Sequence, residues 1–200
     1  MGLKTMHGSK INDSNRDKDD FYATDPKTLK LFLQALKNNN QEDLIQDPIW
    51  ECACGTGNLS KELLSLGYNV YSTDLIYRDS ICEDTVDFLK SDKKWKGTIL
   101  TNPPYKYAEE FTIKALDSLV DGTIIFLLKS YFLESKSRYD NIFRKFPPHS
   151  IWLHVTRQQT FSATKKPDKG SSAFFYVWVV WKKNYFDIPK IYWIPENKDA

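Results

Sequence analysis

The hydrophobic pattern of the chain switches repeatedly between two spacings. Short, nearly continuous apolar runs predict buried strands, at residues 49–54, 69–75, 98–102, 123–129, 151–156 and 173–181. Between these runs, apolar residues recur three or four positions apart and predict amphipathic helices, at residues 29–36, 59–66, 108–119 and 139–146. Strands that alternate with helices indicate an α/β fold with a mainly parallel central sheet. Because no helix separates the last two strands, we expect them to form a C-terminal antiparallel hairpin.

The composition divides the chain into three segments. Residues 1–19 are polar, with almost no apolar periodicity, and predict a flexible N-terminal arm. Residues 20–183 hold the predicted elements and form one domain, and residues 184–200 are expected to be a C-terminal extension packed on or trailing it. The net charge is +2, the chain has three cysteines, and the start lacks the apolar core of a signal peptide. These features indicate a cytoplasmic protein in which nucleic-acid binding would depend on local basic patches.

A glycine turn follows the strand at residues 49–54, in the sequence Glu51-Cys52-Ala53-Cys54-Gly55-Thr56-Gly57. Glycines between a strand and a helix let the backbone approach a ligand closely. Asp74 ends the next strand, about twenty residues beyond Gly55, where a carboxylate can accept both hydroxyls of a ribose. Together they predict a nucleoside-type cofactor. A nicotinamide-dependent oxidoreductase is disfavoured, because Ser60 replaces the third glycine of that fingerprint.

The strand at residues 98–102 ends in Asn102-Pro103-Pro104-Tyr105. Each proline lacks an N–H, so this loop presents carbonyl oxygens without competing donors. The side chain of Asn102 adds a carbonyl oxygen, and Tyr105 adds an aromatic face. Such a loop suits a planar group that carries an –NH₂. Because the carboxyl ends of parallel strands share one edge, Gly55, Asp74 and Asn102 are expected to meet in one cleft.

With both motifs, the chain resembles class I S-adenosylmethionine-dependent methyltransferases, in particular the amino-methyltransferases whose signature is Asn-Pro-Pro-Tyr. The glycine turn precedes the loop at residues 102–105, which we call the acceptor loop, and adenine-N6 DNA methyltransferases have the same order. Residues 132–139 and the aromatic strand at 173–178 are similar to small standalone enzymes of phage and prophage type. The resemblance covers residues 20–183. It implies a Rossmann-like three-layer sandwich, S-adenosyl-L-methionine as cofactor, and methyl transfer to an exocyclic amine, first of all adenine N6 in DNA.

The resemblance also implies roles in cofactor binding. Residues 51–57 would wrap the methionine and ribose parts, and Asp74 would hold the ribose. Asp87 and Phe88 would read the cofactor's adenine, with the carboxylate at its amine and the ring against its face. The segment at residues 22–24 would close over the methionine part. The implied cofactor-binding residues are Tyr22, Thr24, Glu51, Cys52, Ala53, Cys54, Gly55, Gly57, Asp74, Leu75, Asp87, Phe88 and Asn102.

On the substrate side, the resemblance implies that Asn102 and the carbonyl of Pro103 hold the target amine while Tyr105 stacks on the target base. The implied catalytic residues are Asn102, Pro103, Pro104 and Tyr105. The basic loop at residues 157–172 is expected to reach the same rim and contact phosphates. The expected partner is nucleic acid, first of all DNA, and the target is an adenine that is flipped out or single-stranded. The expected substrate-binding residues are Tyr105, Lys129, Arg138, Arg157 and Phe161.

Several interpretations stay open at this stage. RNA, or a glutamine side-chain amide in a protein, presents the same planar –NH₂, and a catalytically silent module would keep the same cofactor cleft. No metal site is predicted, because Cys52 and Cys54 lack zinc-ligand spacing. The histidines His7, His149 and His154 have no motif partner, so they are assigned no catalytic role.

Overall fold

A central eight-stranded sheet organises the protein, whose computed structural model describes residues 22–156, 160–162 and 175–196. The strands are β1 (Tyr22–Thr24), β2 (Ile49–Glu51), β3 (Val70–Asp74), β4 (Asp84–Thr85), β5 (Trp95–Thr101), β6 (Leu119–Lys129), β7 (Ser150–His154), β8 (Thr160–Ser162), β9 (Tyr176–Lys182) and β10 (Lys190–Ile194). The helices are α1 (Pro26–Asn38), α2 (Asn58–Ser65), α3 (Ala108–Ser118) and α4 (Lys136–Arg138), which continues as a π-turn, Tyr139–Phe143. The central sheet has the order β10-β7-β9-β6-β5-β2-β3-β4, and β1 pairs with β8 separately.

The sheet is parallel except at β9, which runs antiparallel to both of its neighbours, β6 and β7. The predicted α/β fold with a mainly parallel sheet and an antiparallel C-terminal pair is therefore confirmed. The pairing is less simple than a hairpin on the sheet edge, because β9 inserts between β6 and β7. Beyond them, β10 adds a parallel edge strand, and it lies within residues 184–200, which the sequence predicts to be an extension. The predicted arm, residues 1–19, lies outside the described residues.

Helix α1 illustrates how local sequence starts an element. The side chain of Asp25 accepts a hydrogen bond from the backbone N–H of Lys27 at 2.9 Å, and Pro26 occupies the first turn, where its missing N–H costs nothing. Such a cap stabilises a helix by about 1 kcal/mol. The ring of Phe32 stacks on Trp178 of β9, with centroids 4.8 Å apart. The apolar face of α1 is thereby buried against the sheet.

Two apolar cores cover the two faces of the sheet and make a three-layer sandwich. On one face, α1 and α2 pack over a core that includes Trp152 and Trp178. On the other face, α3 packs over a core that includes Trp50 and Phe111. The central strands are buried on both faces, which explains why β6 is an almost continuous apolar run.

Two paired glycines allow β5 and β6 to approach closely. Gly97 and Gly122 lie opposite each other, with φ of 115° and 114°, in a region that side chains rarely adopt. A Cβ on Gly122 would lie 1.9 Å from the carbonyl oxygen of Gly97. Neither position can carry a side chain without moving the backbone.

The amphipathic helix predicted at residues 139–146 is only partly present. Ile142 is buried as predicted, but Tyr139 and Phe146 are exposed. A π-turn, Tyr139–Phe143, follows α4, and its wider winding rotates the side chains after it, including Phe146, away from the expected face.

Candidate active site

The carboxyl ends of β2, β3 and β5 meet at one edge of the sheet, as the sequence predicts. The backbone N–H of Gly55, after β2, donates to Oδ2 of Asp74, at the end of β3, at 2.8 Å. The amide of Asn102, after β5, donates to Oγ1 of Thr24 at 2.9 Å. The amide of Asn58, at the start of α2, donates to the carbonyl of the same Thr24 at 2.8 Å. These bonds join the glycine turn, the acidic strand end and the acceptor loop into one site.

The glycine turn has the backbone geometry that the sequence predicts. Gly55 and Gly57 have φ of 58° and 74°, and the N–H of Gly57 donates to the carbonyl of Cys54 at 2.7 Å. A Cβ on Gly57 would lie 2.1 Å from Cγ2 of Ile81. The turn therefore needs glycine for both its conformation and its packing, and α2 starts directly after it.

Beneath the turn, Glu51 is buried in a hydrogen-bonded cluster. The hydroxyl of Ser60 donates to Oε2 of Glu51, and the hydroxyls of Ser60 and Ser72 lie 2.6 Å apart. Burial raises the pKa of Glu51 to about 8, and the Ser60 bonds only partly oppose this effect. Glu51 thus supports the turn from below. Burial also raises the pKa of the Cys52 and Cys54 thiols. Because these thiols stay protonated, they are not nucleophiles.

Asp74 is fixed by three donors. Besides Gly55, the N–H of Ile76 and Nη1 of Arg78 donate to its Oδ1, at 3.0 and 2.7 Å. The sequence motifs did not identify Arg78, although its position four residues after Asp74 could have indicated an ion pair. Leu75, directly after Asp74, is 62% exposed and presents an apolar surface beside the carboxylate.

The two residues of the predicted adenine-reading pair lie in different environments. Phe88 is 2% exposed, and its ring lies in the core, 5.2 Å from the ring of Trp50 and 5.1 Å from that of Phe111. Phe88 therefore belongs to the core beneath this edge of the sheet, and its contact with a cofactor adenine stays a prediction. Asp87 is half-buried and accepts from the N–H of Leu89 and the ammonium of Lys90, at 3.2 and 3.0 Å.

The acceptor loop holds Asn102 in one orientation. Its Nδ2 is bound to Thr24, and within the described part of the chain its buried Oδ1 has no hydrogen-bond partner. Pro103 is buried, and the carbonyl of Pro104 accepts from the N–H of Tyr107 at 2.9 Å, which closes a short 3₁₀ turn. The loop therefore keeps a buried amide oxygen available at the carboxyl edge of the sheet.

Tyr105 is more buried than expected for a side chain on which a base stacks. It is buried, with its ring 5.8 Å from that of Tyr176, and the ammonium of Lys129 lies 4.1 Å from the ring centroid. Lys129, expected to contact nucleic acid, instead makes a cation–π contact here. Stacking of a base on the face that Lys129 covers would require Lys129 to move away.

The remaining substrate residues are distributed differently from the prediction. Arg138 donates from Nε to the carbonyl of Phe132 at 2.6 Å, and from Nη2 to those of Tyr131 and Glu134 at 2.9 and 2.7 Å. These bonds fix the loop after β6, and the expected role of Arg138 in binding substrate stays a prediction. A cavity of about 160 Å³ opens beside this loop, lined by Tyr105, Lys129, Phe132 and Arg138 among others.

Two predicted segments meet in the small sheet. β1, the segment expected to close over the cofactor, pairs antiparallel with β8, within the loop expected to bind substrate. Tyr22 lies opposite Ser162, and Ala23 lies opposite Phe161. The predicted contact Arg157 lies outside the described residues. Within residues 22–156, 160–162 and 175–196, no helix is both long and apolar enough to span a bilayer.

Solved structures share this fold at low sequence identity. A candidate RNA methyltransferase of Pyrococcus horikoshii matches with a TM-score of 0.55 and 14% identity, over 84% of this chain and 90% of that one. A candidate class I S-adenosylmethionine-dependent methyltransferase of Listeria monocytogenes matches with a TM-score of 0.50 and 11% identity, over 94% and 68%. A candidate hemolysin of Lactococcus lactis matches with a TM-score of 0.50 and 14% identity, over 86% and 93%. No protein-family profile matches the sequence, and a search of curated proteins gives no match. The protein therefore has the fold of class I S-adenosylmethionine-dependent methyltransferases, and its activity must be argued from its residues.

Proposed function

We propose that the protein transfers a methyl group from S-adenosyl-L-methionine to an exocyclic amine, with adenine N6 in DNA as the target. The observation that carries this proposal is Oδ1 of Asn102, a buried acceptor without a hydrogen-bond partner among the described residues. Leaving such an atom unpaired costs about 1–3 kcal/mol. The N–H of a bound amine would supply the missing donor, and the bond to Thr24 holds the amide in the required orientation.

The other half of the cleft fits the cofactor. Gly55 and Gly57 bring the backbone close to a ligand, and the fixed carboxylate of Asp74 would accept ribose hydroxyls. Leu75 and Ile76 are exposed next to Asp74 and would lie against the adenine. When bound, the cofactor supplies a methyl group on a sulfonium, which is already a strong electrophile.

The chain's own contribution is to position the target amine. An aromatic amine is a poor nucleophile, because its lone pair is delocalised into the ring. Acceptance of its two hydrogens by Asn102 Oδ1 and the Pro103 carbonyl would favour a pyramidal nitrogen with its lone pair facing the methyl. Such positioning can lower a barrier by several kcal/mol. The surplus proton on the methylated nitrogen is acidic enough to pass to water, so no strong general base is required.

The test is a radiolabelled methyl-transfer assay from S-adenosyl-L-methionine into duplex DNA, single-stranded DNA, RNA and cell protein side by side. Label recovered as N6-methyladenine from DNA is the expected result. Label in RNA, or on protein glutamine, would reassign the substrate and refute the DNA proposal. Cofactor binding by calorimetry without transfer to any of these substrates would favour a silent module.

The variant Asn102→Ala examines the acceptor directly. We expect kcat to fall by at least about 100-fold, the loss typical of removing one transition-state hydrogen bond, while cofactor affinity changes less than about twofold. Asn38→Ala is the matched control, because this exposed amide at the end of α1 is bound only by a neighbouring glutamine. Near-normal transfer by Asn102→Ala would overturn the assigned role.

A further inference from the structure

A row of polar side chains lines the carboxyl edge of the sheet beside Tyr105. Lys129 ends β6 and lies opposite Tyr176, the first residue of β9. His154 ends β7, and continuing the β7–β9 register by one residue brings it beside Tyr176. We call Lys129, Tyr176 and His154 the edge row. The ring of Tyr105 lies against it, 5.8 Å from the ring of Tyr176 and 4.1 Å from Nζ of Lys129.

The edge row faces the same side of the sheet as α1. Trp152 and Trp178 lie opposite each other, and both contact Phe32 of α1, with ring centroids 5.7 and 4.8 Å away. Side chains two positions apart along a strand point to the same face. His154 and Tyr176, each two positions from one of these tryptophans, therefore lie on that face as well.

In the segments that the structure describes, three side chains at this edge carry buried polar atoms without a hydrogen-bond partner: both ring nitrogens of His154, Nε1 of Trp178 and Oδ1 of Asn102. His154 is only 9% exposed, and Trp178 is fully buried. Most buried polar atoms in folded proteins are paired. Several unpaired donors and acceptors at one edge therefore indicate a place for a polar ligand.

The backbone positions that carry two of these side chains are separated by a span that suits a nucleobase. Extending the β5–β6–β9 register by one residue places Asn102 on the same rung as Trp178, two strands away. Two strand spacings are about 10 Å, a span comparable to that of a purine with a hydrogen bond at each end. Burial lowers the pKa of His154 to about 4, so its imidazole is neutral and offers one donor and one acceptor.

We propose that the edge row, together with Trp178, is a subsite that reads the ring nitrogens of the target base while Asn102 holds its amine. The assignment rests on the proposed function, and it gives a substrate-positioning role to His154. Ring nitrogens of a neutral heterocycle accept hydrogen bonds from imidazole and indole N–H groups without any charge. A phosphate would instead favour a cation at His154, which its burial opposes.

The experiment measures binding of short single-stranded DNA containing one adenine, by fluorescence anisotropy with S-adenosylhomocysteine present. Parallel oligonucleotides carry 1-deaza-, 3-deaza- or 7-deazaadenine, each of which replaces one ring nitrogen by CH. The proteins are the unaltered chain, His154→Phe and the control His149→Phe. His149 lies just before β7, at the opposite end of that strand, and bonds to Ser150. Calorimetric cofactor affinity checks that each variant is folded.

Loss of one neutral hydrogen bond is expected to weaken binding of the adenine oligonucleotide to His154→Phe by about 5–10-fold. With one of the deaza analogues, His154→Phe and the unaltered chain should bind equally, because the contacted nitrogen is already missing. His154→Gln restores a donor and should recover part of the affinity, and His149→Phe should change nothing. An equal loss with every oligonucleotide, or no loss, would overturn the inference. If His154→Phe does not bind the cofactor, His154→Leu takes its place.

The experiments distinguish failure of the proposed function from failure of the proposed subsite. If the unaltered chain neither binds nor methylates nucleic acid, the proposed function is wrong and the subsite is wrong with it. If the unaltered chain methylates adenine but His154→Phe shows the same analogue pattern, the function stands and only the subsite is overturned.

Discussion

Replacing Glu51 by glutamine should remove a pH dependence from the stability of the fold. Glu51 is buried beneath the glycine turn, and its pKa is raised to about 8. The folded chain therefore holds a proton that the unfolded chain releases above its ordinary pKa of 4.5. This contribution to stability is fully present below that pH and is lost as pH rises toward 8. Glutamine keeps the carbonyl that accepts from Ser60 but cannot ionise.

The size of the effect is clearest between the ordinary pKa of histidine, 6.5, and pH 8. Below that window, His154 and His149 oppose Glu51, because their lowered pKa values contribute stability that is lost as pH falls. Within it, Glu51 dominates among the described residues. One pH unit corresponds to about 1.4 kcal/mol, and partial ionisation near pH 8 reduces the total to about 1.5 kcal/mol across the window.

The assay is urea unfolding of the unaltered chain and Glu51→Gln at several pH values within that window. Relative to Glu51→Gln, which has the same histidines, the unaltered chain should lose about 1.5 kcal/mol of unfolding free energy toward the alkaline end. The serine variant Ser65→Ala, on the exposed end of α2, controls for the buffers. A variant with the same slope as the unaltered chain would refute the buried, protonated state of Glu51.

The remaining predictions concern the backbone, the cofactor and the acceptor loop. Gly122→Ala should lower the unfolding free energy by about 3 kcal/mol in urea titrations, whereas Gly67→Ala, which has a positive φ but an open surrounding, should cost about 1 kcal/mol. Asp74→Ala should weaken S-adenosyl-L-methionine at least about 10-fold by calorimetry, since it removes a charged hydrogen-bond acceptor; unchanged affinity would exclude the ribose contact. Thr24→Val should lower kcat by about 10-fold, because Asn102 loses the bond that orients it; an unchanged kcat in transfer assays would exclude that role.

The sequence predicted best those features that depend on neighbouring residues. The cap of Asp25 on α1, the glycine turn and the strand that ends at Asn102 all follow from local chemistry. Features that depend on distant partners were missed or misplaced. Phe88 has the right neighbour for a cofactor contact, but aromatic residues far away in the chain enclose its ring. Arg138 is bound by carbonyls of its own loop, which charge alone does not reveal.

The position of Thr24 explains why the two halves of the site act as one unit. Its hydroxyl holds Asn102, its carbonyl accepts from Asn58 at the start of α2, and its strand pairs with Thr160 of β8. The glycine turn leads directly into α2. A fixed turn therefore also fixes Asn58, whose amide binds the carbonyl of Thr24. Asn102 has no other bond to its amide nitrogen among the described contacts. The orientation of the proposed acceptor Asn102 therefore depends on β1, which also contacts the start of α2 and pairs with β8.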